Sequence, residues 1–236
     1  MKRILTALVL IPVVVWLVLW APAWALTLAL SLVGLLAFHE YDRIAKLIVG
    51  QAFSAPDARL GQAILSPANR LITNRPALFV IGFIYIFIPL GLAVPLRAWN
   101  PTGNWLMFAL LLSWAGDTAA LYIGKAFGRH KLAPVISPKK TWEGAFGSIA
   151  GALIAGGIYA HYLIPDTRLA IILPLAIAGN IAGQLGDLAE SALKRRAGIK
   201  DSGSSLPGHG GWLDRIDSIL FTVPVIYALV RLVRNA

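Results

Sequence analysis

Long apolar runs constrain the fold of this chain more than any other feature. Seven stretches are close to the length that crosses a bilayer and are apolar on every side of a helix. They cover residues 4–22, 23–38, 77–96, 104–123, 144–163, 168–186 and 217–233. Elements of a soluble domain would show polar residues at a helical or strand period. We therefore predict an all-α, polytopic transmembrane helical bundle of about seven spans.

The chain is expected to form a single integral membrane domain. Its start resembles a secretory signal peptide, but the apolar run is long for one and a second run follows at once. We therefore predict an N-terminal helical hairpin over 1–42 with Pro22 at the turn. Residues 43–76 are the least apolar long stretch and are expected to form a cytosolic or interfacial connector. Residues 77–236 then form the membrane core that carries the candidate site.

Basic residues indicate the topology, because Lys and Arg in short loops favour the cytoplasmic side. With the N-terminus inside, only four of the 21 basic residues fall outside: Arg97, Arg168, Arg231 and Arg234. Every carboxylate except Asp166 lies at or near the inside face. This topology explains the net charge of +10, so we expect no nucleic-acid partner. The chemistry is expected on the cytosolic side.

Three aspartates mark the inner ends of the last two runs. Asp187 ends the sixth run, and Asp214 and Asp217 stand three residues apart at the entrance to the seventh. Mg²⁺ prefers carboxylate oxygens and bridges them to substrate phosphates. Charges at helix ends in a membrane protein are costly and usually functional. We predict that the three converge on a cation; the alternative is helix capping and solvated pairs such as Glu190–Lys194.

A loop rich in glycine and proline lies between these aspartates. Its glycines allow backbone N–H groups to approach anionic oxygens: Gly203, Gly208, Gly210 and Gly211. Four basic residues surround it: Lys194, Arg195, Lys200 and Arg215. Such a combination suits a metal–polyphosphate complex. His209 is either a general acid or phosphate contact, or an ordinary hydrogen-bonded surface residue.

A second polar stretch, residues 114–144, begins within the fourth run and continues beyond it. Asp117 lies inside that run and is expected to face the site or a cation, unless it bonds a neighbouring helix. Ser137-Pro138 is typical of an N-cap followed by proline at the first helical position. We predict that the helix beginning there binds an anion through its N-terminus, Lys139, Lys140 and Thr141. The alternative is a basic cluster against anionic lipid.

Other features narrow the function less sharply. Glu40 and Asp42, at the end of the second run, are either an edge of the site or plain interfacial charges. The absence of cysteine excludes disulfides and thiolate metal ligands. A transporter would place its charges near the midplane on broken helices, whereas these charges cluster at one face. This pattern favours an enzyme over a transporter.

The polar stretches resemble the signature of the CDP-diacylglycerol synthase (phosphatidate cytidylyltransferase) family. The matching residues of the longer stretch are Gly186-Asp187-Leu188-x-Glu190-Ser191, Lys194-Arg195, Lys200-Asp201, Pro207-x-His209-Gly-Gly and Asp214-Arg215-Ile-Asp217. The shorter stretch matches through Gly116-Asp117-Thr118 and Ser137-Pro138-x-Lys140-Thr141-Trp142-Glu143-Gly144. Trp212 departs from the smaller aliphatic residue usual in the family. Residues 43–76 also replace the additional spans of typical bacterial members.

The resemblance implies transfer of a cytidylyl group from CTP to phosphatidate at a bacterial inner membrane, with release of pyrophosphate, for phospholipid synthesis. It implies a homodimer whose activity depends on Mg²⁺. The site could also hold a second cation such as K⁺. Asp187 and Asp214 would be the first metal ligands and Asp217 the next, and Lys200 would join them in catalysis. Substrate would be bound by Asp117, Ser137, Lys140, Thr141, Ser191, Lys194, Arg195, Asp201, His209 and Arg215. The shortened connector leaves open a related transferase acting on another lipid phosphate or an isoprenoid alcohol.

Overall fold

A computed structural model describes residues 2–54, 74–99, 104–206, 208 and 210–235. The elements in these ranges are α1 (Lys2–Leu19), α2 (Ala23–Ser54), α3 (Arg75–Ala98), α4 (Asn104–Phe127), β1 (Lys131–Ala133), β2 (Ser137–Thr141), α5 (Trp142–Leu163), α6 (Leu169–Arg196), α7 (Leu213–Ile216) and α8 (Ile219–Asn235). The predicted helical class is confirmed, and a short β-hairpin is added to it.

Six helical segments of the described part are long and apolar enough to cross a membrane. They are Ala23–Gly50, Arg75–Ala98, Asn104–Phe127, Trp142–Leu163, Leu169–Arg196 and Leu213–Arg234. The first helix is apolar over the shorter segment Leu8–Leu19. The chain is therefore a helical, multi-pass membrane protein. Its described residues contain six long candidate spans and one shorter apolar helix in place of seven similar runs.

Helix α2 extends well beyond the predicted end of its span at residue 38. It stays helical because apolar residues recur on one face, where Tyr41, Ile44, Ala45 and Ile48 are all buried. That face packs against α3 and α7. The predicted connector is consequently helical up to Ser54, and its residues 55–73 lie outside the described part.

Close packing of α4 on α5 depends on small residues. A Cβ added at Gly151 would lie 2.5 Å from the Cβ of Ala119, so only glycine allows the two backbones this approach. Small residues at helix crossings are typical of membrane bundles, where the surrounding lipid provides no hydrophobic driving force for association. Gly144 likewise lies against Ala120 and Gly124, and Gly147 against Ile123, so the second half of α4 packs along the first half of α5.

Polar side chains inside the bundle fix α6 against the other two helices. Asn180 Nδ2 donates to Ser148 Oγ at 3.0 Å and to the Leu112 carbonyl oxygen at 3.3 Å. Gln184 Nε2 donates to the Ala145 carbonyl oxygen of α5 at 3.3 Å, and within α6 it also donates to Asn180 Oδ1 at 2.8 Å. Such interhelical bonds contribute about 0.6 kcal/mol each in membrane proteins. They set the rotation of α6 and hence the direction of its polar end.

The segment between α4 and α5 corrects one prediction. Residues 137–141 form strand β2, antiparallel to β1 with Lys131 opposite Thr141, instead of the start of a helix. Helix α5 begins at Trp142, and Thr141 is its N-cap, with Oγ1 accepting from Gly144 N at 3.1 Å. Pro138 is tolerated because an edge strand can lack one donor. Pro138 therefore lies in a strand and not at the first position of a helix. The N-cap residue is Thr141 and not the predicted Ser137.

Candidate active site

One end of the bundle, here named the polar end, contains a groove of about 470 Å³. Helices α4, α5 and α6 and the β-hairpin enclose it. Its polar lining consists of Asp117, Lys125, Lys131, Lys139, Lys140, Thr141, Ser148, Gln184 and Asp187. Leu121 and Leu132 contribute to its apolar wall. Four lysines beside two aspartates suit an anionic ligand bound together with a cation.

The hairpin is joined to α6 across this groove. Lys140 Nζ and Asp187 Oδ2 form an ion pair at 2.7 Å, and both side chains are partly exposed. Ser191 Oγ donates to Asp187 Oδ1 at 3.3 Å, one helical turn further along. The structure thus brings together three residues that the sequence predicts for the site.

Two more aspartates lie within electrostatic reach of Asp187. The charge of Asp187 acts on Asp117 in α4 and on Asp217, which lies between α7 and α8. Asp217 Oδ1 accepts a hydrogen bond from the adjacent Ser218 N at 2.7 Å. The described residues donate no hydrogen bond to Asp117. Lys140 and Arg215 act on Asp117 with the opposite charge, as Lys194 does on Asp217. These three carboxylates, named the open set, accept few hydrogen bonds from the described residues.

Asp214 is held in a different way. Lys194 Nζ donates to its Oδ1 at 2.6 Å, while Gly211 N at 2.8 Å and Ser202 N at 3.0 Å donate to its Oδ2. Lys194 also pairs with Glu190, whose side chain is fully buried. Asp214 is thus enclosed by protein donors.

The predicted convergence of Asp187, Asp214 and Asp217 is corrected by this geometry. Among the described residues, no three acidic or histidine side chains lie close enough together to hold a metal ion. The physical reason is Lys194, whose buried ammonium requires a counter-charge and draws Asp214 toward Glu190 and away from the groove.

The structure distinguishes Glu40 from Asp42, which both lie within α2. Glu40 is buried and accepts four hydrogen bonds from the glycine-rich loop and the start of α7. Asp42 instead forms an i,i+4 ion pair with the half-exposed Lys46 at 2.5 Å. Glu40 therefore belongs to the site's framework, and Asp42 is a plain interfacial charge. Sequence spacing could not distinguish them, because all four donors to Glu40 are distant in the chain.

The glycine-rich loop lies beside a second cavity of about 540 Å³. Asp201 and Arg215 line it together with Gly203, Ser204, Leu206, Gly208 and Gly210. Gly210 has a φ of 80°, and a Cβ there would lie 2.5 Å from Asp214 Oδ2, so this position requires glycine. The predicted neighbours Asp201 and Arg215 are therefore brought together, on a different cavity from Asp187.

Other predicted residues lie farther from the groove. Arg195 donates to the carbonyl oxygens of Ile136 at 3.2 Å and Ile199 at 3.0 Å, which ties α6 to the hairpin tip. Lys200 is exposed and lines neither of these two cavities. Ser137 pairs with Ala133 in the hairpin. His209 lies outside the described residues.

The sequence predicts anion binding by Lys139 and Lys140, but it does not single out two further groove lysines, Lys125 and Lys131, as binding residues. The only signal for them was their position in a predicted inside loop, where lysines also serve topology. Lys131 lines the groove from the hairpin, which hydropathy alone does not reveal, and Lys125 lines it from the last turn of α4.

The sequence of this chain is similar to those of known proteins. Residues 60–233 match the model of the cytidylyltransferase family. The phosphatidate cytidylyltransferase of Bacillus subtilis is 37% identical over 205 residues, which cover 83% of this chain and 72% of that protein. That of Haemophilus influenzae is 44% identical over 123 residues, covering 50% and 43%. That of Staphylococcus epidermidis is 44% identical over 127 residues, covering 54% and 49%. The alignments with the last two thus span less than half of each relative's length.

Proposed function

Because the chain belongs to the cytidylyltransferase family, we propose that it transfers the cytidylyl group of CTP to phosphatidate, giving CDP-diacylglycerol and pyrophosphate. The observation that carries this proposal is the groove at the polar end, where four lysines surround Asp117 and Asp187. A triphosphate and a lipid phosphate both need cationic groups around them. An apolar wall beside those groups suits a substrate that enters from the membrane.

The reaction demands positioning more than acid–base chemistry. A phosphate oxygen of phosphatidate is already anionic at neutral pH and attacks the α-phosphorus of CTP. A new P–O bond forms, the bond between the α-phosphorus and the bridging oxygen breaks, and pyrophosphate leaves with that oxygen. Two anions must be held in line while charge builds on the leaving group. In this proposal Lys139 and Lys140 neutralise that charge, and Lys125 and Lys131, which line the same groove, bind the outer phosphates.

The open set fits a divalent cation. Mg²⁺ commonly takes only one or two protein carboxylates and completes its shell with water and substrate phosphates. Asp187 with Asp217 or Asp117 supplies such a pair, and the ammonium of Lys140 on Asp187 indicates that this position favours positive charge. Bound Mg²⁺ would neutralise phosphate charge and stabilise the leaving pyrophosphate. Asp214 is the weaker candidate ligand because protein donors already enclose it.

We place the polar end at the cytosolic face of a bacterial inner membrane, with the N-terminus inside. The support is the basic-residue bias and the location of CTP in the cytosol. The homodimer and the second cation implied by the family resemblance stay predictions.

An assay on the purified full chain in detergent tests the proposal. The protein is incubated with labelled CTP, phosphatidate and Mg²⁺, and CDP-lipid and pyrophosphate are measured. Equal amounts of the two products are expected, with strong loss in Lys140→Ala. Lys46→Ala, which removes an exposed lysine outside the groove, is the matched control. Absence of both products, with the control and wild type folded, would overturn the proposal.

A further inference from the structure

We propose that Glu40 is a positioning residue of this site: its buried carboxylate holds the loop 201–213 in place and, through Ser202, fixes Asp214. This inference deepens the proposed function and rests on it. Glu40 lies in α2, before residue 60 where the family match begins. A helix outside the matched region would therefore supply part of the site's framework.

Four donors of the loop and of α7 converge on the two carboxylate oxygens. Oε2 accepts from Ser202 Oγ at 2.8 Å and from Leu213 N at 3.0 Å. Oε1 accepts from Ser205 Oγ at 3.0 Å and from Trp212 N at 3.1 Å. A buried carboxylate is tolerated only when its charge is compensated by such bonds. The same four bonds fix both ends of the loop to one side chain.

Two glycines allow this close approach. A Cβ at Gly203 would lie 2.4 Å from Glu40 Oε1, and one at Gly211 would lie 2.2 Å from Oε2. Both distances are too short for any side chain, so the loop backbone wraps directly around the carboxylate. Gly203 and Gly211 thus allow the loop backbone to pack closely against the carboxylate of Glu40.

Ser202 links Glu40 to Asp214. Its hydroxyl lies 2.8 Å from Glu40 Oε2 and 3.0 Å from Asp214 Oδ2, and its N–H also donates to Asp214. Arg43, one turn along α2, donates to the Ser202 carbonyl oxygen. Asp214 is also ion-paired with Lys194. A shift of Glu40 would therefore move Ser202 and loosen Asp214.

The test compares three substitutions in the full-length protein. Glu40→Gln keeps the size but replaces one acceptor oxygen by an amide that faces hydrogen-bond donors. Glu40→Asp keeps the charge on a shorter side chain. Asp42→Asn is the matched control, because it removes the same charge two residues away on the same helix, from a surface ion pair.

Glu40→Gln is expected to lower kcat about 100-fold, as misplacement of reacting groups by about 1 Å does, with partial rescue in Glu40→Asp. Hydrogen–deuterium exchange of peptides covering 201–213 should quicken in Glu40→Gln and stay unchanged in Asp42→Asn. Exchange in α4 and α5 should not change, which separates local loosening from global unfolding. If Glu40→Gln does not fold, Ser202→Ala provides the second variant, with faster exchange and lower kcat expected.

Wild-type kcat together with wild-type exchange in Glu40→Gln would overturn the inference, as would equal effects in Asp42→Asn. The exchange measurement needs no substrate. A wild-type chain without cytidylyltransferase activity would therefore sink the proposed function, while the exchange comparison would still decide whether Glu40 positions the loop.

Discussion

Two groups of carboxylates at the polar end differ in how completely the protein satisfies them. Glu40 and Asp214, named the enclosed pair, each accept hydrogen bonds from several donors of the loop and its surroundings. The open set of Asp117, Asp187 and Asp217 has few protein donors and is mutually repulsive. Unpaired buried charge costs several kcal/mol. This difference is the basis of our proposals that the enclosed pair builds the site and that members of the open set bind a cation.

If the open set binds the cation, the largest loss of turnover is expected on replacement of Asp187. Asp187→Asn should reduce turnover about 1,000-fold, the upper end of what removal of one electrostatic contact costs. It should leave thermal unfolding nearly unchanged, because the residue is partly exposed and lies within the open set. Initial rates at several Mg²⁺ concentrations measure the first effect, and a detergent melting curve measures the second. A variant with wild-type turnover at low Mg²⁺ would remove Asp187 from the cation site.

Replacement of Asp214 should lower the stability of the protein as well as its activity. Asp214→Asn leaves Lys194 with one carboxylate partner and removes the negative charge that binds Ser202 and Gly211. Breaking a buried ion pair costs about 3–5 kcal/mol, so a clear drop in the free energy of unfolding is expected. Urea unfolding or thermal melting checks it. If Asp214→Asn melted like the wild type while Asp187→Asn was strongly destabilised, the two groups would have been assigned the wrong way round.

These contrasts show where sequence reasoning succeeds. Hydropathy predicted the bundle because lipid exposure requires apolar side chains all round, a property visible in any single run. It also placed Asp187, Asp214 and Asp217 at one end. It failed to separate them, because that separation depends on Lys194, which is twenty residues from Asp214 and approaches it only when α6 packs beside α7.

Long-range partners explain the other misses. Glu40 finds its partners 162 to 173 residues away, so no local pattern distinguishes it from Asp42. The Ser137-Pro138 pair satisfies helix-capping preferences, yet pairing with β1 overrides them, because tertiary and strand contacts outweigh a local propensity of about 1 kcal/mol. Local sequence thus predicted which residue types matter, while the contacts that sort them come from the fold.

Replacement of a groove lysine is expected to have an effect of intermediate size on the kinetics. Lys139→Ala removes one cation near the open set without touching the enclosed pair. We expect KM for CTP or phosphatidate to rise about 10-fold, the scale of about 1.4 kcal/mol, with a smaller change in kcat. Steady-state kinetics with each substrate varied in turn measures it. Lys46→Ala serves as the control, and an equal rise in KM there would mean that general surface charge, and not the groove, attracts the substrates.

The smallest predicted effect concerns Ser191, the one side-chain hydroxyl among the described residues that donates to Asp187. Its 3.3 Å bond is long, and a net hydrogen bond of this kind contributes about 1 kcal/mol. Ser191→Ala should therefore lower kcat/KM about fivefold and leave Asp187 more dependent on added cation, visible as a rightward shift of the Mg²⁺ titration. Ser205→Ala, which removes one of the four donors to Glu40, should produce no such shift, because the enclosed pair does not compete for the cation. A Mg²⁺ shift in Ser205→Ala and none in Ser191→Ala would mean that the cation binds at the loop and not between α4 and α6.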